Sequence, residues 1–193
     1  MGIVANCLQR DRTMIFTLAL CIGVMAAGAA SQPVESTGNS EDLDMMKMVE
    51  VNETLVVYKR KHSNKTMYRC LSAKKEKRVN ETQFQYKLRG REYREYEEYS
   101  VNVTLVKLSF GRGYMSTYTD KDGINYTLKL RKVGANNTCF VIYVEKSDHN
   151  KGCEVLVPVS QVNKEIPYEC DKYYKTKCHG KNFKPHKKNC RYN

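Results

Sequence analysis

Between positions 55 and 159 the chain reads, eight times over, as a short apolar or alternating stretch closed by turn residues. The stretches cover 55–58, 67–71, 84–88, 101–108, 114–118, 126–130, 139–144 and 153–159, with HSNK, KKEKRVN, FGRG, DKDG, GANN and DHNKG among the segments between them. A period of two marks a strand with one buried face, and short strands at even spacing restrict the fold to an antiparallel barrel or sandwich. The DKDG segment at 120–123, set between two such stretches, signals a hairpin. Residues 92–99 (EYREYEEY) interleave Tyr93, Tyr96 and Tyr99 with four glutamates. They read either as an acidic rim loop, with tyrosines open to sulfation or simply amphipathic, or as part of a strand. A helix is expected on each side of the strand region. Over 41–51, Leu43, Met46 and Met48 or Val49 follow acidic residues at helical spacing. Over 166–177, Pro167 suits a helix start, with Tyr173 and Tyr174 placed to face the strands.

The alternation can be checked against an independent signal. Six Asn-X-Thr sequons occur, at Asn52, Asn64, Asn80, Asn102, Asn125 and Asn136. A glycan must point to solvent. In the run 125–131, Tyr126, Leu128 and Leu130 share one face, while Asn125, Thr127, Lys129 and Arg131 take the other. In 100–105, Val101, Val103 and Leu105 oppose Asn102 and Thr104. Both sequons fall on the polar face.

The same sequons point to the secretory pathway, and the N-terminus agrees. Arg10 and Arg12 precede an apolar run, 14–30, that ends in small residues. This is the layout of a cleaved signal peptide over 1–30, with a signal anchor as the rival reading. A polar leader, 31–40 (SQPVESTGNS), follows and is expected to be flexible. The folded domain is then 41–193, ending in a basic, cysteine-stapled tail over 178–193. No later apolar run is long enough to span a bilayer, so a soluble, secreted chain is expected. Loss of the signal leaves 31 basic against 20 acidic side chains, a net charge of +11. Six of the eight cysteines remain: Cys70, Cys139, Cys153, Cys170, Cys178 and Cys190. In an exported chain an even set reads as three disulfides, with 15 pairings open.

Several function classes recede at this point. Cys178, His179, His186 and Cys190 match no metal-site spacing, and an oxidising compartment favours disulfides over a metal site. His62 and His149 stand in turn-like stretches. No nucleophile elbow, metalloprotease helix or phosphate loop is present, so no catalytic residue and no cofactor is expected. The lysines of 172–191, with Lys59–Lys61 and 74–78, form a basic surface. For an exported protein without a recognition module this favours anionic glycans or acidic host proteins over nucleic acid, with plain solubility as the bland reading.

Two segments carry a family resemblance. The first is YRCLSA at 68–73, which places a lone cysteine on the second strand. The second is CEVLV at 153–157, followed by Pro167, Cys170, Tyr174, Cys178 and Cys190. With the strand and helix pattern, they resemble the tick salivary lipocalins of the histamine-binding family over about residues 41–190. The resemblance implies a mainly-β fold: an eight-stranded antiparallel lipocalin-like barrel with a short N-terminal helix, a C-terminal helix and three disulfides. It also implies the pairs Cys139–Cys170, Cys70–Cys190 and, to complete the set, Cys153–Cys178. The family's amine signature departs from its pattern here. The triplets Cys139-Phe140-Val141 and Glu154-Val155-Leu156 keep the spacing, with 12 residues between them and 13 more to Cys170. Phe140 stands in place of an aspartate, Leu156 in place of an aromatic residue, and the chain has no Trp.

A buried ammonium needs carboxylates and aromatic faces. The candidate ligand-binding set is therefore Glu154, Phe140, Ile142, Tyr126 and Tyr86. Glu154 reads equally as an ion-paired rim carboxylate. A monomer is expected, and the resemblance implies that it sequesters a small host mediator: histamine or serotonin by default, or a lipid such as a leukotriene or fatty acid given the altered triplet. The alternative is an inhibitor that binds host complement or clotting proteins without a small ligand.

Overall fold

The computed structural model describes residues 42–63, 65–110 and 112–192. The expected signal peptide, the leader and the sequon at Asn64 lie outside the described residues. Eight strands form one closed antiparallel barrel in chain order, with β8 returning to pair with β1. They are β1 (Leu55–Arg60), β2 (Arg69–Arg78), β3 (Gln83–Glu92), β4 (Glu95–Lys107), β5 (Tyr114–Thr119), β6 (Asn125–Val133), β7 (Phe140–Lys146) and β8 (Lys151–Pro158). Two α-helices flank them, α1 (Met46–Val49) and α2 (Tyr168–Lys177).

Alternation decides what fills the barrel. Val101, Val103 and Leu105 of β4, Leu130 of β6, and Phe140, Ile142 and Val144 of β7 are buried together inside it, with Leu55, Phe84, Tyr86 and Leu156. Full burial of side chains of this size contributes about 1.5–3 kcal/mol each. One end is plugged by Met45, Met48 and Val49 of the α1 segment. That helix is shorter than the spacing over 41–51 suggests. Leu43 is drawn instead into a bridge with β6, its N–H donating to the Leu130 carbonyl at 2.7 Å. Asp44 Oδ1 accepts the N–H groups of both Met46 and Tyr114, so the chain turns into the helix only after it is tied to β5.

Two polar stretches that composition assigns to loops or leaves open are strands. KKEKR lengthens β2, where Lys74 pairs with Lys87 of β3 and Lys75 donates to the Val49 carbonyl at the end of α1. EYEEY lengthens β4, and the β3–β4 turn is the pair Tyr93–Arg94. The charged side chains of both stretches are mostly exposed, while Tyr96 and Tyr99 pack against the apolar clusters of the barrel.

The outer faces of β1, β7 and β8 are also apolar, because they too are covered. Val56, Val141, Val155 and Val157 form a second cluster with Tyr174 of α2 and the six cysteines. The helix is held there covalently by Cys139–Cys170 and Cys153–Cys178. Lys59 pairs with Asp171 on its flank. Lys61 Nζ donates to the carbonyls of Tyr174 and Cys178, where a helix C-terminus attracts a cation.

The seam between β1 and β2 is short. Only Leu55↔Ala73 and Val56↔Ser72 pair across it. Cys70 takes a left-handed backbone (φ +52°) where the β2 register shifts. Beyond this point the C-terminal tail takes the place of a neighbouring strand. Arg60 and Phe183 exchange two main-chain hydrogen bonds of 2.8 Å, and the Cys70 N–H donates to the Pro185 carbonyl at 3.1 Å. Cys70–Cys190, with a sequence separation of 120, locks the tail down. Closing so long a loop in the unfolded chain is worth about 4–5 kcal/mol on the chain-entropy account.

Candidate functional site

The barrel encloses a cavity of about 410 Å³, a volume suited to one small ligand. Its floor is apolar: Met48, Val49, Leu55, Val57, Val103 and Leu156. Its upper half is a different environment, containing Arg60, His62, Tyr99, Tyr118, Tyr126, Lys146 and Glu154. Its rim carries Asp120 and the exposed Lys121, Asp122 and Asp148.

Glu154 reaches this space from β8, opposite Ile142 on β7 and Arg60 on β1. Its Oε1 accepts a hydrogen bond of 2.8 Å from His62 Nε2. A carboxylate only accepts, so Nε2 carries the proton; Nδ1 of the same ring lies 3.1 Å from Ser63 Oγ. Arg60 Nη1 stands 3.8 Å from the same carboxylate oxygen. Burial pushes the Glu154 carboxyl upward. The His62 hydrogen bond and charge, with Arg60 and Lys146, more than offset this and hold it below the ordinary carboxylate value. Arg60 is buried, and desolvation lowers its pKa against the pull of Glu154. It remains a cation, because guanidinium does not deprotonate in this range. Its Nη2 donates to the Ser63 carbonyl at 3.0 Å, while Nε–H is buried without an acceptor.

Tyrosines line the wall above the floor. Tyr118 and Tyr126 stack with ring centroids 4.5 Å apart and planes 12° from parallel. Burial raises the pKa of both phenols, and it pushes Tyr99 up to about 12, with Asp120 and Asp122 adding to the effect. Lys146 Nζ sits 4.7 Å from the Tyr126 ring centroid, a cation–π contact made by the protein's own ammonium. Desolvation, and then the charge of Arg60, lower the Lys146 pKa.

The sequence-derived set divides in space. Glu154, Ile142, Tyr126 and Tyr86 all line the cavity. Phe140 is fully buried deeper in the barrel, opposite Leu156, and is not among the lining residues. Arg60, His62, Tyr118 and Lys146 join the lining residues, although the sequence pattern does not mark them as cavity residues. His62 stands in a stretch that reads as a turn, yet it is buried and bonded to Glu154 across 92 positions. Of the sequons, Asn52, Asn80, Asn102, Asn125 and Asn136 are all exposed. Among the described residues no cluster of His, Cys, Asp and Glu is arranged to hold a metal ion. Nor is any described helix long and apolar enough to cross a membrane.

Comparison with known proteins adds one finding. The model of a family described as tick histamine binding protein matches residues 34–192, most of the chain. No curated protein matches it.

Proposed function

The chain belongs to the tick histamine-binding protein family, and from that premise we propose that it is a secreted, glycosylated salivary lipocalin that takes a small host mediator out of circulation by binding it, without turnover. We infer further that the mediator is an acid-headed amphipath, of the fatty-acid or leukotriene class. The observation that carries this is the state of Glu154. In an amine sink the buried carboxylate would await the ligand's ammonium. Here it is already paired with His62 and Arg60. A ligand amine would have to displace one of them and leave a buried charge unmatched, at a cost of about 3–5 kcal/mol.

The donors that remain favour an oxygen-rich anion. Arg60 Nε–H has no acceptor, and Lys146 stands on β7, on the other side of β8 from Arg60, against Tyr126. Below them the apolar floor suits a hydrocarbon chain.

A specific feature also supports the family's default amine. The stacked Tyr118 and Tyr126, with Asp120 beside them, offer the aromatic faces and the charge that an ammonium needs. In the structure the cation on Tyr126 is Lys146. An amine reading therefore requires that lysine to swing away.

The two readings separate in one experiment: native mass spectrometry of the secreted, deglycosylated protein offered histamine, serotonin, arachidonic acid and a leukotriene in competition. Retention of a lipid acid supports the first reading. Retention of an amine overturns it in favour of the second. Retention of nothing overturns both and turns attention to protein partners. The mass lost on deglycosylation tests the glycan expectation at the five exposed sequons.

A further inference from the structure

We propose that the C-terminal tail is part of the binding site, with Phe183 as the positioning residue that holds Arg60 for the ligand's acid group. The inference rests on the acid-ligand reading above and adds a component far from Arg60 in sequence.

Arg60 is the last residue of β1, and the β1–β2 pairing has already ended at Val56↔Ser72. On the side facing β2, its main chain therefore has no strand partner from the barrel. Phe183 supplies one through the reciprocal pair of 2.8 Å hydrogen bonds. The side chains meet as well. The Phe183 ring centroid lies 5.3 Å from Arg60 Cζ and 4.5 Å from Arg69 Cζ, so one ring serves two guanidinium groups. A guanidinium has several long-chain rotamers, and fixing one costs entropy that a ligand would otherwise have to supply on binding.

The tail is itself fixed on both sides of Phe183. Cys178 is bound to Cys153 and Cys190 to Cys70, while His186 stacks on Tyr58 and bonds Tyr192 Oη at 2.8 Å. Phe183 is thus a rigid platform rather than a loose end. Arg60 lines the cavity, with Nη2 occupied by the Ser63 carbonyl and Nη1 facing Glu154, while its Nε–H is buried without an acceptor. A guanidinium fixed in this way at the cavity wall is the group a ligand carboxylate would pair with.

The test is Phe183→Leu in the full-length secreted protein. It keeps apolar bulk and the main-chain pair but removes the aromatic face. Affinities for lauric acid and lauryl alcohol, equal in chain length and different in head group, are measured by displacement of a fluorescent fatty acid. Arg60→Met is run in parallel, and thermal melts check that each variant folds. F183L should weaken lauric acid by about tenfold, the scale of a desolvated cation–π contact, and leave lauryl alcohol within about twofold. R60M should abolish the preference for the acid. Equal loss of acid and alcohol in F183L would make the tail merely structural and overturn the proposal. No change in F183L alongside a lost acid preference in R60M would also overturn it, while leaving the acid-ligand reading intact. If wild type shows no acid preference, or R60M keeps it, the acid-ligand reading itself fails. Should R60M not fold, Arg60→Lys, which keeps the charge and loses the planar face and fork, replaces it with the same expected direction.

Discussion

The floor and the mouth of this barrel are built on the same eight strands, but they are held by different forces. At the floor, Leu55, Val103, Leu130, Phe140 and Leu156 interdigitate with Met45 and Val49, and each gains by leaving water. At the mouth, Arg60 and His62 are buried and Glu154 is largely so, and pairing among the three offsets the cost of taking them from water. Loss of one floor side chain leaves a void. Loss of one mouth side chain leaves a charge without its partner. The first kind of damage should lower stability and spare ligand chemistry; the second should change what is bound.

The largest effect should come from the floor. Phe140 is wholly buried, and Phe140→Ala is expected to destabilise the protein by about 3–5 kcal/mol, the range for a large-to-small change in a packed core. Urea unfolding measures it. Because Phe140 does not line the cavity, the acid-to-alcohol preference should survive in whatever fraction remains folded. A changed preference with unchanged stability would reverse the assignments of the two halves.

Next is Glu154→Gln. The neutral amide leaves the Arg60 guanidinium buried without a counter-charge, at about 3 kcal/mol, toward the low end of the usual cost because Nη2 keeps its bond to the Ser63 carbonyl. Ligand affinity should move in the opposite direction. With its internal carboxylate gone, Arg60 is left for the ligand, so fatty-acid binding should tighten about tenfold, the scale of one charge-assisted hydrogen bond. Tighter histamine binding in this variant would contradict the acid reading.

Acid titration gives a smaller, graded version of the same change. The folded Glu154 carboxyl lies below its ordinary value near 4.5, so its contribution is complete above that value. The contribution is lost as pH falls through the folded value. His186 adds a loss at a higher pH. Burial, with Lys184 and Lys187, lowers its pKa from an ordinary 6.5, so its neutral folded form is favoured above that value and penalised below it. Stability curves should therefore fall in two stages on acidification, the His186 stage first. The later stage should be smaller in Glu154→Gln but not absent, because Asp171 and Glu169 also lie below their ordinary values and keep their share of it.

The two halves also differ in how much the sequence discloses, for the same reason that they differ in physics. The floor is written locally. Tyr126, Leu128 and Leu130 alternate without interruption, as do Val101, Val103 and Leu105, so the strands, their inward faces and the outward sequons at Asn102 and Asn125 follow from a period of two. The mouth is hidden by an irregularity. Strict alternation from Leu55 and Val57 turns Lys59 inward and Arg60 outward. The β1–β8 register shifts between Val57 and Lys59, and the bulge brings Arg60 opposite Glu154 instead. A bulge leaves no mark in a stretch that reads KRKHS. The tail partner Phe183 is further removed still, 123 positions along the chain from Arg60, and only the closed barrel brings the two together.

The smallest effect probes the one polar atom that blurs the division. Tyr86 lines the cavity midway up the wall, level with Val101 of β4, and its hydroxyl is buried without a partner. Burial alone raises its pKa, so it stays a neutral phenol. An unpaired buried hydroxyl costs about 1–3 kcal/mol relative to a satisfied one. Tyr86→Phe should therefore leave the ligand-free protein as stable as wild type, or more stable by about 1 kcal/mol. If the hydroxyl waits for a polar group on the ligand, the same variant should bind an oxygenated fatty acid several-fold more weakly and a plain one equally well. Equal binding of both would make the floor apolar in function as well as in lining. Calorimetry with the two acids distinguishes these outcomes, and a loss of stability in the ligand-free variant would show instead that the hydroxyl already has a partner in solution.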